Sequence, residues 1–146
     1  MIGSKVMKPH VYRNRLLALA EFLYKLPEKQ FKYTHWNDSN ECGTVACALG
    51  WACYMPRFQK LGLFMSKARN RPVMKGISGD SFDAARHLFG LSLQEAFFLF
   101  YPGSFKVLCT EKCAPGANAV SKEVAKHIAD FAIAKFGSKK ICSRAS

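Results

Sequence analysis

Cys42-Gly43-Thr44-Val45-Ala46-Cys47-Ala48-Leu49-Gly50-Trp51-Ala52 is the stretch on which the reading of the fold turns. It follows a polar run, Thr34-His35-Trp36-Asn37-Asp38-Ser39-Asn40-Glu41, and consists of small and apolar residues almost throughout. It predicts a helix from about Thr44 to Tyr54, closed by Pro56 and apolar nearly all round, hence at the centre of a core. Gly50 and the alanines would let neighbouring elements come close. On that reading the Cys42 thiol stands beside the first helical turn, where unpaired backbone N–H groups gather. Such a place suits a reactive thiolate, a bound anion or a plain structural helix start, and the sequence leaves all three open.

Working outward, Leu16, Leu19, Ala20, Leu23 and Leu26 keep helical spacing from Val11 onward, and Pro27 ends that helix. Residues 28–41 read as a long loop with Phe31, Tyr33 and Trp36 as inward anchors. Downstream, two short runs, Leu63–Lys67 and Pro72–Ile77, flank Ala68-Arg69-Asn70-Arg71, which predicts a β-hairpin. Gly79-Asp80-Ser81 offers caps for a short helix carrying Phe82, Ala85, Leu88 and Phe89, with Gly90 at its end. Ser92-Leu93-Gln94-Glu95 is a capping box opening another helix through Phe100, stopped by Tyr101-Pro102-Gly103. A second long loop, 103–118, holds Cys109 and Cys113. Ser121 then starts a closing helix with Val124, Ile128 and Phe131 on one face and Gly137 at its end. The sum is a mainly α, single-domain bundle of about five helices, 11–137, with a small β-hairpin near 62–77. A basic arm (1–10) and a basic tail (138–146) flank it.

Bulk properties narrow the classes. The 146 residues are 49% hydrophobic and 13% aromatic, which is globular and not disordered composition. No apolar run reaches the ~18 residues of a membrane-spanning helix, and Met1-Ile2-Gly3-Ser4-Lys5 lacks a secretory apolar segment. The expectation is a cytoplasmic protein with no membrane association. Three of the six cysteines (Cys42, Cys47, Cys53) share one apolar segment, which favours reduced, buried thiols over a disulfide scaffold. The formal charge of +12 favours an anionic partner: nucleic acid, a nucleotide or an acidic protein.

Trp36 and Cys42-Gly43-Thr44-Val45-Ala46-Cys47-Ala48-Leu49-Gly50-Trp51-Ala52, taken with a second segment, resemble a family of small uncharacterised bacterial and phage proteins. The second segment is Ala84-Ala85-Arg86-His87-Leu88-Phe89-Gly90-Leu91-Ser92-Leu93-Gln94-Glu95-Ala96-Phe97-Phe98-Leu99-Phe100-Tyr101-Pro102. That family combines a Trp-containing loop, a CGTxACxxGWA-like helix and an AAxxxFGLxxxEAxxLFxP-like segment. The resemblance spans roughly residues 11–136. It implies a compact helical domain, often phage-encoded and set in a host cytoplasm, and carries no activity over.

Four constellations could carry function. Cys42 with His35 as base would make a cysteine-dependent hydrolase or transferase, but no residue that would orient the base is evident. Cys109 and Cys113 have a spacing allowed for zinc, yet a structural site needs four ligands and no second close pair is present, so no metal or other cofactor is expected. Trp36, Gly43, Thr44 and Asp80 could line one pocket, with amides and a hydroxyl for a phosphate and an indole for a ring; the plainer reading is core aromatics and caps. Lastly, no acidic residue lies between Glu41 and Asp80, whereas Arg57, Lys60, Lys67, Arg69, Arg71 and Lys75 do. A hairpin so charged can clamp phosphates or stay merely solvated. The leading expectation is a non-enzymatic binding protein of phage or mobile-element type, possessing a basic face that captures an anionic partner and acts on a host defence or regulatory system. A catalytic Cys42, and a protein-interaction module built on Phe97, Phe98 and Tyr101, are the alternatives.

Overall fold

Proline at the first helical position and leucines at helical spacing make α1 (Pro9–Lys25), whose Leu16, Leu19 and Leu23 are fully buried. Burying each such side chain is worth about 1.5–3 kcal/mol, so this stripe fixes the helix to the core. Leu26 turns extended ahead of Pro27, and a single 3-10 turn, Glu28–Gln30, leads to the buried Phe31. The computed structural model describes residues 8–31, 38–40, 43–45, 47–68, 71–79, 81–100 and 120–137. Residues 1–7 and 138–146, read above as arm and tail, lie outside the described residues, as does the expected loop 103–118. The sequence places the arm up to residue 10, whereas α1 already includes Pro9 and His10.

The apolar stretch departs from its expected form. Strand β1 (Asp38–Asn40) pairs antiparallel with β2 (Gly43–Val45), so that Ser39 opposes Thr44. Only then does α2 (Ala48–Ala52) begin, capped by Cys47, whose sulfur accepts the Gly50 N–H at 3.5 Å. Thr44 and Val45 are β-branched, and their strand preference prevails over the apolar run that follows. Pro56 does not close the helix; it opens a one-turn helix, α3 (Pro56–Gln59), at a position where its missing N–H costs nothing. Central placement holds: Cys47, Ala48, Leu49, Ala52 and Cys53 are all buried.

The hairpin forms as expected, from β3 (Leu63–Ser66) and β4 (Arg71–Met74). Helix α4 (Phe82–Phe89) ends at Gly90 in the left-handed region, φ +66°. A Cβ at that glycine would lie 2.6 Å from the Tyr12 ring, so both conformation and space require glycine here. The capping box opens α5 (Leu93–Phe100): the Ser92 N–H donates to Glu95 Oε1 at 2.8 Å, and the Glu95 N–H donates to Ser92 Oγ at 3.2 Å. Helix α6 (Ser121–Phe136) lies antiparallel to α1. At one end the Arg13 guanidinium donates to the Gly137 carbonyl at 3.4 Å; at the other the Ser121 hydroxyl donates to the Leu26 carbonyl at 3.2 Å.

The architecture is therefore mainly α with small antiparallel hairpins, and a single cluster of buried side chains joins the helices. Its largest members are Phe58, Phe89, Phe98 and Phe131, with Phe58 and Phe89 meeting edge to face at 5.6 Å. Among the described residues no helix is long and apolar enough to cross a membrane.

Candidate functional site

The β3–β4 ribbon sits on the core by one face. Leu63 opposes Met74 and Met65 opposes Pro72, and Leu63, Pro72 and Met74 are buried. Alternation then turns Phe64, Ser66, Arg71 and Val73 to the other side. The ladder continues one step further, since the Lys75 N–H donates to the Gly62 carbonyl at 2.9 Å, and this places Lys75 on the outer side too. The ribbon is also tied to the α4 entry, where the Ser81 N–H donates to the Pro72 carbonyl at 2.6 Å.

Arg71 and Lys75 are exposed on this outer face, and Lys67 is exposed just after β3. The side chains of Lys67 and Lys75 make no hydrogen bond or ion pair among the described residues. Arg69, the remaining cation of the expected tip, lies outside them. The structure thus brings together three of the expected ligands, Lys67, Arg71 and Lys75, in a segment that carries no carboxylate from Cys42 to Gly79.

Of the second expected site, Trp36, Gly43, Thr44 and Asp80, only Gly43 and Thr44 fall among the described residues. Gly43 and Thr44 belong to strand β2, so their amides do not form a helix N-terminus and the phosphate-binding turn expected there is corrected. The helix start instead falls at Cys47–Ala48. The dipole argument for an activated Cys42 loses its premise with it. Cys42, His35, Trp36 and Asp80 lie outside the described residues, as do Cys109, Cys113 and Tyr101. The two described thiols are unsuited to nucleophilic work: burial pushes Cys47 up to about 11 and Cys53 up to about 12. Ser81 stands at the N-cap of α4 with φ +48°, but its hydroxyl makes no cap hydrogen bond. Among the described residues no group of three His, Cys, Asp or Glu side chains could hold a metal ion. Nor is Phe98 available for a protein-binding patch, because it is 1% exposed and packs on Phe131.

A second set of cations behaves quite differently. Arg15 donates to the Leu88 carbonyl at 2.7 Å, closing α4, while Lys122 donates to the Tyr24 carbonyl at 3.1 Å, closing α1. Arg13 serves α6 in the same way, and Lys135 donates to the Gly90 carbonyl at 3.3 Å. These carbonyls are the orphaned acceptors of helix ends, where positive charge is favoured. Lys135 also forms an ion pair with Glu95, whose side chain is only 8% exposed. His127 completes the pattern: its Nε2–H donates to the Phe98 carbonyl at 2.7 Å near the end of α5. Because a carbonyl only accepts, this fixes the neutral ring in its Nε2–H form. Burial, the largest influence, holds the His127 pKa below its ordinary value.

Sequence reasoning missed three features. Glu95 was read as a cap but not as half of an ion pair reaching α6. Phe64 was assigned to the hairpin without a side, although alternation from Leu63 would have turned it outward. The third is a shallow groove of about 610 Å3 between α1 and α6, lined by Leu17, Ala20, Tyr24, Ala125 and Ala129 among others. Its signal was the alanines on the partly polar sides of both helices. Comparison with protein-family models, with curated proteins and with solved structures gives no match to this chain.

Proposed function

We propose that this protein is a small non-enzymatic binding module that captures a polyanion, nucleic acid foremost, on the outer face of the β3–β4 hairpin. The observation that supports it is the group of three exposed cations on one hairpin, Arg71 and Lys75 on its outer face and Lys67 just after β3, in a stretch of sequence free of carboxylates. The ribbon itself carries no carboxylate to oppose these charges, and exposed positive charge on it steers an anion toward the hairpin. Two-stranded antiparallel ribbons are also of a size to enter or line a nucleic-acid groove. The motif resemblance adds a setting for this activity, a phage or mobile-element protein working in the cytoplasm of its host.

Capture here is electrostatic, by displacement of counterions from phosphates. Three phosphate contacts on a single strand give a salt slope of about −2, so a fourfold rise in salt lowers affinity roughly twentyfold. Fluorescence anisotropy of a labelled oligonucleotide, titrated with the full chain at low and at moderate salt, reads this directly. The expected result is binding that weakens along that slope and is largely lost when Lys67, Arg71 and Lys75 are replaced by alanine together. Absence of binding at low salt, or affinity indifferent to salt, would remove the reading.

A further inference from the structure

We propose that the outer ribbon face takes single-stranded nucleic acid, with Phe64 stacking on an unpaired base between phosphates held by Arg71 and Lys75. The inference rests on the polyanion reading above and specifies its ligand. An exposed phenylalanine means little by itself, since apolar atoms make up much of any protein surface. Its surroundings give this one meaning.

Phe64 is 47% exposed and sits opposite Val73. Its two diagonal neighbours across the ribbon are therefore Arg71 and Lys75, each within roughly 7–8 Å, the reach of a long side chain. Along β4 these cations are four residues apart, roughly 13 Å at the rise of an antiparallel strand. The ring thus lies between two positive charges spaced to engage separate phosphates of one strand, while the base between them turns toward the protein.

The neighbours of Phe64 on its own strand leave the ring uncovered. Two positions away on either side stand Gly62 and Ser66, the smallest residues available to that face. Gly62, held at φ +106°, adds no side chain to that flank, and the stem of Lys75 lies beside it, since a Cβ on Gly62 would come 3.2 Å from the Lys75 Cβ. A planar base that lies against the exposed ring from this side meets no bulky neighbour on β3, only the flexible Lys75 side chain. A duplex keeps the faces of its bases stacked inside and offers only edges and phosphates, whereas an unpaired strand presents the flat surface that an open aromatic accepts. Stacking of this kind tolerates any base, so broad sequence acceptance is part of the assignment.

The test compares the full chain with Phe64→Ala, Phe64→Leu and Phe64→Trp, measuring anisotropy with oligodeoxythymidine, with the same strand paired to its complement, and with heparin as a ring-free polyanion. The expected result is roughly ten- to a hundredfold weaker single-strand binding for both Phe64→Ala and Phe64→Leu. Phe64→Trp restores it, heparin affinity stays unchanged throughout, and the wild type prefers the single strand to the duplex. Heparin bound while Phe64→Ala leaves the single strand unaffected, or duplex bound as tightly as single strand, overturns this inference and leaves the polyanion reading standing. Equal losses for heparin and oligonucleotide in Phe64→Leu overturn it as well. No binding of any of the three ligands by the wild type overturns both.

Discussion

The cations of the helical body and those of the hairpin share a charge and little else. Arg13, Arg15, Lys122 and Lys135 each donate to a carbonyl at or near the end of a helix, and Lys135 also neutralises a buried carboxylate. The exposed side chains of Lys67 and Lys75 have no partner among the described residues, and Arg71 is exposed on the same ribbon face as Lys75. A net charge of +12 therefore mixes two quantities. One part closes helix ends, and the other stands exposed on the hairpin.

Substitutions should separate the two groups cleanly. The largest effect is expected for Lys135→Met, which strands the Glu95 carboxylate in a buried site and costs about 3 kcal/mol of unfolding free energy in urea titration. The double variant Glu95→Gln with Lys135→Met should recover much of that loss, since both charges then leave together. Next comes Arg15→Met, which removes a charged donor from the Leu88 carbonyl and should cost about 2 kcal/mol by the same measurement. Replacing Lys67, Arg71 and Lys75 together by alanine should change unfolding by less than about 0.5 kcal/mol. The same triple change should lower oligonucleotide affinity at least about tenfold, or ~1.4 kcal/mol. A large stability loss in that variant, or lost binding in Lys135→Met that remains folded, would break the division.

The smallest effect concerns pH. The His127 pKa is lowered in the fold from its ordinary 6.5, so as pH falls the unfolded chain takes up the proton first. The stability held by the neutral ring is fully present above pH 6.5 and is lost as pH drops through the folded value. Urea titrations at descending pH should show this decline, and His127→Gln, which keeps a donor near the Phe98 carbonyl without titrating, should remove it. An undiminished slope in that variant would place the pH dependence elsewhere, with no bearing on the hairpin.

Much of the helical frame was legible because its signals are local. Leucine spacing marked α1, the Ser92–Glu95 box and Gly90 marked the corner between α4 and α5, and Val124, Ile128 and Phe131 marked α6. The hairpin was legible from its two short runs. The segment Gly43–Val45 was misread because only two residues with strand preference, Thr44 and Val45, preface an apolar run long enough to suggest a helix of its own. Cysteine is an uncommon helix cap, so Cys47 gave no sign that α2 starts there. The candidate site was half legible: charge along the chain named Lys67, Arg71 and Lys75, but that Arg71 and Lys75 share a face, with Phe64 between them, depends on register. Contacts such as Glu95 with Lys135 join residues far apart in sequence, and no local pattern announces them.

The antiparallel seating of α1 against α6 has a consequence for how the protein comes into being. Ser121 meets Leu26 across 95 positions of sequence, so on the ribosome the leucine stripe of α1 emerges long before the surface made to cover it. Until that late helix arrives, the early one must be shielded by chaperones or by passing associations with other segments, and closure of the body is a slow, long-range event. The hairpin draws on neighbours made at nearly the same moment, so its charged face can take shape while the rest of the chain is still being synthesised.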